Sequence, residues 1–175
     1  NSENFRAVNN DILGAFDDSR LRDGDVVLCS KYLSGTKMLN NMVSIFISGE
    51  WKHAGLYVKS VKNSGPAIFS ASDQAVPLDE YNGDKANRSA GAFGKVGYEK
   101  PSVWATRNRV TFLKVTNADD KTSNDALESA KKYEGRNFNL ITKRESEDDW
   151  YCSKVVYRAW LEQGYNLEAD ADDNR

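Results

Sequence analysis

Two spacings of apolar residues alternate along the chain and predict a mixture of helices and strands. Helical spacing covers residues 3–16 and 36–47, and a third helix is predicted to start at a Thr122 cap, with Asp125 as its capping-box partner, and to end at Gly135. Short apolar or alternating runs predict strands over residues 26–29, 53–59, 67–72 and 109–115. The strands are joined by turns rather than by regular helical crossovers, which predicts an α+β fold with an antiparallel sheet.

The last helix is predicted from near Trp150 to Gly164 and has one apolar face. That face contains Cys152, Val155, Val156, Ala159, Trp160 and Gln163. Residues 82–102 are rich in Gly, Asn, Lys and Ser and predict a long loop of the functional or mobile kind. We expect a single domain, with an N-terminal helix within residues 1–20, a core over 21–163 and an acidic tail over 164–175.

Composition narrows the possible partners and cofactors. The 175 residues suit one domain, and 24 basic against 26 acidic side chains give a net charge of −2, which disfavours nucleic acid as a partner. The uninterrupted apolar runs, such as Ile45-Phe46-Ile47, are only a few residues long, too short for a transmembrane segment. One His and two distant Cys do not supply clustered ligands, so no metal or other cofactor is predicted. The composition leaves the oligomeric state undetermined.

Cys152 and His53 are the candidates for chemistry. Cys152 falls in the first turn of the last helix, where unpaired N–H groups and the helix dipole favour a thiolate. Its own backbone N–H can stabilise an oxyanion. His53 begins a strand and, as the only imidazole, is the only candidate partner for a thiol–imidazole pair. The alternatives are a cysteine that merely fills the core and a histidine at the boundary of the fold.

Four segments then carry a family resemblance. Residues 21–28 (Leu-Arg-Asp-Gly-Asp-Val-Val-Leu) resemble the first strand of the circularly permuted NlpC-type papain-like proteins, the YiiX/YebB-like group. Residues 51–58 are similar to the strand that carries the histidine in that group, and residues 135–139 with 150–160 are similar to its cysteine-bearing ending. The order, with the histidine strand before the cysteine helix, is typical of the permuted group.

The resemblance implies a papain-like core in which Cys152 is the nucleophile and His53 the base. Ser70 stands where the group usually has an acidic residue that orients the imidazole, and Asp73 is an alternative for that role. Tyr151 matches a pocket-shaping position, and Tyr57 is a second candidate for substrate binding. The implied activity is hydrolysis of an amide or ester, or acyl transfer, on a cell-wall peptide or a lipid. A bacterial envelope or secreted location, after removal of a signal, is favoured over the cytoplasm.

Two other functions stay open at this stage. An uncharged Ser70 stabilises an imidazolium less than a carboxylate does, which is consistent with a binding domain that keeps the cleft without efficient catalysis. A redox or structural role for the cysteines predicts a bridge between Cys29 and Cys152.

Overall fold

The computed structural model describes residues 8–30, 50–81, 94–139 and 148–167. The predicted helix over 36–47 and most of the acidic tail therefore lie outside the described residues. In the described ranges the strands are β1 (Val26–Cys29), β2 (His53–Val58), β3 (Ala67–Ser72), β4 (Lys95–Glu99), β5 (Val110–Leu113), β6 (Asn137–Phe138) and β7 (Asp149–Trp150). The helices there are α1 (Asn10–Ala15), α2 (Pro101–Trp104), α3 (Asp120–Lys131) and α4 (Cys152–Leu161).

The described strands form one sheet in the order β5-β1-β2-β3-β4-β6-β7. Neighbours from β5 to β6 are antiparallel, and β7 joins β6 in parallel at the edge. The predicted α+β class with an antiparallel sheet is confirmed.

The sheet separates two apolar clusters, because successive side chains of a strand point to opposite faces. Ala54, Leu56 and Val58 of β2 pack with α3 and α4 on one face. Tyr57 packs on the other face with Phe16 and Trp104. Helix α4 buries Val155, Val156, Ala159 and Trp160 against the first face, as the spacing of its apolar residues predicted.

Two helix starts differ from the prediction. The side-chain oxygen of Asn9 accepts hydrogen bonds from the backbone N–H groups of Asp11 and Ile12. Asn9 is therefore the N-cap of α1, and the helix begins at Asn10. Helix α3 begins at Asp120, because the Asp119 carboxylate accepts the Thr122 N–H at 2.7 Å. Thr122 therefore donates to the cap and is not itself the capping residue.

The prediction of one long loop over residues 82–102 is wrong for its second half, which forms β4 and the start of α2. Gly97, which favoured the loop interpretation, has a packing reason to be glycine. A Cβ at this position would lie 2.2 Å from the Val76 carbonyl oxygen, because residues 75–77 cross the strand closely. Strand β4 ends at Glu99, and Pro101 begins α2 immediately afterwards.

Candidate active site

The start of α4 meets the start of β2, and this places Cys152 beside His53. Cys152 is the first residue of α4 and His53 the first of β2. A hydrogen bond joins the thiol to the imidazole. Both side chains are almost fully enclosed: Cys152 is 5% exposed as a residue, and the His53 side chain is 9% exposed.

The carboxylate on the imidazole belongs to Glu99. Its Oε1 lies 2.8 Å from His53 Nε2. Because Nε2 is engaged there, Nδ1 is the nitrogen left to face Cys152. Ring stacking also fixes the imidazole, since the Trp104 and His53 ring centroids are 4.7 Å apart at 32°.

The structure therefore does not place Ser70 or Asp73 in the orienting position expected from the sequence. The Ser70 hydroxyl donates a hydrogen bond to the Ala54 carbonyl oxygen at 2.6 Å, and this bond links β3 to β2. Asp73 follows β3 with an exposed side chain. Sequence reasoning missed Glu99 because its strand was interpreted as a loop; the alternation of Val96 and Tyr98 with Lys95, Gly97 and Glu99 was the available signal.

Electrostatics in this cluster favour the charged forms of the pair. Burial alone would raise the pKa of Cys152, but the charge of His53, its hydrogen bond, and the N–H groups of Ala54 and Ser153 hold it below the ordinary value. Burial likewise opposes the imidazolium, yet Glu99 and Cys152 raise the pKa of His53 to about 10. The pKa of Glu99 is lowered despite its burial, chiefly by the charge of His53. The arrangement suits a thiolate–imidazolium pair with a carboxylate behind it.

The two candidate substrate-binding residues, Tyr151 and Tyr57, differ in burial and in distance along the chain from the thiol. Tyr151 precedes the thiol as the N-cap residue of α4 and is half-buried, so a role at the site stays a prediction. Tyr57 is 3% exposed and donates its hydroxyl to the Phe16 carbonyl oxygen at 2.5 Å, on the face of the sheet away from α4. Its ring and hydroxyl are thus engaged by the cluster with Phe16, on the face of β2 that also carries His53 but four residues farther along the strand, and a role in substrate binding stays a prediction.

Both cysteines are free thiols, which contradicts the predicted bridge between Cys29 and Cys152. Within the four described ranges, no three His, Cys, Asp or Glu side chains are grouped so as to hold a metal ion. No helix in those ranges is both long enough and apolar enough to cross a membrane.

A sheet that carries His53, with Cys152 at the start of a later helix packed on it, defines a papain-like protein of permuted order. Comparison with known families agrees: the model of the permuted papain-like amidases, YaeF/YiiX, family C92, matches residues 20–170. The chain belongs to this family.

Among solved structures, the chain is similar to the metalloprotein YiiX from Escherichia coli O157:H7. The TM-score is 0.57 and the identity 17%, over 85% of this chain and 69% of that one. This likeness supports the fold. No curated protein was found to match the sequence.

Proposed function

We propose that this chain hydrolyses an amide or ester bond through a covalent intermediate on Cys152, with His53 as acid and base and Glu99 as the residue that holds the ring. The observation that carries the proposal is the contact of one imidazole with a thiol at a helix start and with a buried carboxylate 2.8 Å away. Membership in an amidase family supports the same class of reaction.

In the proposed first step, the Cys152 thiolate attacks the carbonyl carbon of the substrate and the carbonyl π electrons move to oxygen. Cys152 is the first residue of α4, so its backbone N–H has no partner within the helix, and we expect this group to stabilise the oxyanion. Collapse of the intermediate breaks the bond to the amine or alcohol, which takes the proton from His53. A thioester on Cys152 and a neutral imidazole remain.

In the second step, His53 takes a proton from water, and the hydroxide formed attacks the thioester carbonyl. The carboxylic acid leaves, and the thiolate and the imidazolium are restored. Glu99 stays ionised throughout, since its part is to stabilise the charged ring. An alcohol or amine in place of water would give acyl transfer by the same steps.

The shape beside Cys152 favours a lipid over a polar peptide as substrate. A groove of about 480 Å³ runs between α4 and the β1–β5 edge of the sheet. Ala54 and Ser153 line it, and these are the residues whose N–H groups donate to the Cys152 sulfur. Lys114, Thr116 and Tyr157 also line the groove, and its remaining walls are apolar: Val26, Leu28, Leu113, Val115, Val156 and Leu167.

The binding-only alternative rested on an uncharged residue behind the imidazole. Glu99 supplies the charge that Ser70 lacks, so that reason for expecting weak chemistry no longer applies.

The test of the dyad is the rate of Cys152 alkylation by iodoacetamide as a function of pH, with Cys29→Ala as the background so that one thiol reports. We expect an apparent pKa below the ordinary thiol value of about 8.5. An ordinary pKa that His53→Ala leaves unchanged would contradict the proposal.

The test of the substrate is hydrolysis of acyl esters of increasing chain length. Because each buried methylene contributes about 0.8 kcal/mol, kcat/KM should rise about fourfold per methylene until the groove is filled. Leu113→Asp on the groove wall should remove this dependence. Leu161→Asp should keep it, because Leu161 is similarly exposed but does not line the groove. A flat response in the parent protein would favour a peptide substrate.

A further inference from the structure

Glu99 is held by two residues that the proposed steps do not use. Its Oε1 accepts from the Ser72 hydroxyl as well as from His53 Nε2, each at 2.8 Å. Its Oε2 accepts from the Trp104 indole N–H at 3.0 Å. Glu99 is 1% exposed, so these protein donors take the place of water around a buried carboxylate.

The turn after β3 determines what the Ser72 hydroxyl can do. Its Oγ accepts the backbone N–H groups of Gln74 at 3.0 Å and Ala75 at 3.1 Å. A hydroxyl has one proton and two lone pairs. Because both lone pairs are engaged by the turn, the proton is the part of the group left for Glu99, and Ser72 can only donate to it.

Trp104 is also restricted to donating, because an indole nitrogen carries a hydrogen and no available lone pair. The same side chain stacks on the His53 ring, with centroids 4.7 Å apart. Trp104 therefore contacts both members of the Glu99–His53 pair. It is 1% exposed, at the end of the short helix that begins two residues after Glu99.

These donors decide the charge of Glu99 and the tautomer of His53 together. A proton on Oε2 would face the Trp104 N–H, which can only donate. A proton on Oε1 could be accepted only by His53 Nε2, and the protonated oxygen would then be a poorer acceptor for the Ser72 hydroxyl. The ionised carboxylate is the better acceptor for all three partners, and in that state Nε2 of His53 carries a hydrogen. Nδ1 is then the nitrogen that exchanges the proton with Cys152.

We infer that Ser72 and Trp104 are positioning residues that keep Glu99 ionised and thereby fix which nitrogen of His53 faces Cys152. The inference rests on the proposed function. Among the residues that the structure describes, the other titratable or charged groups that act on the pair are Cys152 from α4, Cys29 from β1, and Arg107 from the segment after α2.

The first test measures Cys152 alkylation against pH in Ser72→Ala and in Trp104→Phe, both in the Cys29→Ala background. Phe keeps a ring against His53 and removes the donor. Each variant should raise the apparent pKa of Cys152 by about one unit, since a hydrogen bond to a charged group is lost. Ser72→Thr, which retains the hydroxyl, should restore the parent value.

Matched controls separate this effect from general loss of packing. Ser123→Ala removes a buried hydroxyl that donates to the Asp23 carbonyl oxygen, and Trp160→Phe removes a buried indole N–H that donates to the Gly24 carbonyl oxygen. Both should leave the apparent pKa of Cys152 unchanged, whatever their effect on stability.

The second test reads the tautomer directly. The chain has one histidine, so ¹⁵N NMR of histidine-labelled protein reports His53 alone. In Cys152→Ala, above the pKa of the ring, the hydrogen should reside on Nε2. Adding Ser72→Ala or Trp104→Phe should give a mixture of the two tautomers.

The outcomes distinguish the two proposals. An ordinary thiol pKa in the parent overturns the proposed dyad. A lowered pKa in the parent that neither variant moves beyond its control, with the tautomer unchanged, overturns the inference and leaves the dyad intact. If Ser72→Ala does not fold, Trp104→Phe and Ser72→Thr decide the matter.

Discussion

Cys29 and Cys152 are two buried thiols next to the same strand end, and their acidities shift in opposite directions. Cys29 is the register partner of His53 on the neighbouring strand, with 0% exposure. Burial, followed by the partly compensating charge of Arg107, leaves its pKa raised. Cys152 is similarly enclosed, yet His53 and two backbone N–H groups lower its pKa. Depth alone therefore does not decide thiol reactivity; the donors and cations around the sulfur do.

The position of each sulfur in the fold accounts for this difference. Cys29 is the last residue of β1, a strand paired on both sides through the ladders with β2 and β5. Cys152 lies at the start of a helix, where N–H groups have no intrahelical partner and can face the sulfur. A helix start that meets the end of β2 at His53 supplies free N–H groups, which a residue within the sheet ladders does not have.

The largest expected effect comes from removing each thiol in turn. Cys152→Ala should lower kcat/KM for an acyl ester by about 10³-fold or more, since the covalent route is lost. Cys29→Ala should stay within about threefold of the parent, because this thiol is not activated. Intact-mass measurement after incubation with substrate should show acylation only where Cys152 is present. An equal loss of activity in Cys29→Ala would contradict the conclusion that only Cys152 is activated.

His53→Ala should lower the alkylation rate of Cys152 at pH 7 by about 30-fold, because an ordinary thiol with a pKa near 8.5 is only about 3% thiolate there. Stopped-flow alkylation in the Cys29→Ala background measures this. Val58→Ala, on the same strand, is the control and should leave the rate unchanged. An unchanged rate in His53→Ala would show that the helix start alone activates the thiol.

Glu99→Gln should raise the apparent pKa of Cys152 by about one unit, because the neutral amide stabilises the imidazolium less, and the alkylation rate should fall by up to about tenfold at pH values below the parent pKa. Asp25→Asn is a matched control: Asp25 is also buried, at 0% exposure, but pairs with Arg22 at 2.9 Å. It should destabilise the fold and leave the alkylation rate as it was. Equal rates in the parent and in Glu99→Gln would remove Glu99 from the proposed site.

The smallest effect concerns the ring and gives the finest comparison of the two thiols. The His53 resonance should titrate with a pKa of about 10 in the parent. Cys152→Ala should lower that value clearly, because the thiolate partner is gone, whereas Cys29→Ala should shift it by less than about half a unit. NMR of the single histidine measures both variants, and the denatured chain, near 6.5, gives the reference.

This raised pKa also links the site to stability. The native state holds the His53 proton more tightly than the unfolded chain does. Its contribution to the free energy of unfolding is therefore complete below pH 6.5 and is lost as the pH rises through about 10. Denaturant titrations across that range should show the loss, and it should be smaller in Cys152→Ala.

Local sequence predicted the elements whose patterns are short and regular. Strands β1 and β3 have the predicted bounds, and β2 begins at the predicted histidine. The apolar spacing of the last helix identified the face that packs on the sheet. Strand β4 was missed because Gly97 and the polar residues before it imitate a loop, and the close crossing of residues 75–77 that requires the glycine is not written in the neighbouring sequence.

By itself, the sequence determined that a cysteine begins the last helix, that the only histidine begins a strand, and that strands joined by turns build an antiparallel sheet. Tertiary structure alone decided that Glu99 meets the imidazole, that Ser70 donates to the Ala54 carbonyl oxygen instead, and that the pKa of one thiol is lowered while that of the other is raised. The physical reason is range. Periodicity and capping act within a few residues, whereas the partners of His53 lie 46 residues away at Glu99 and farther still at Cys152, and only the folded sheet brings them together.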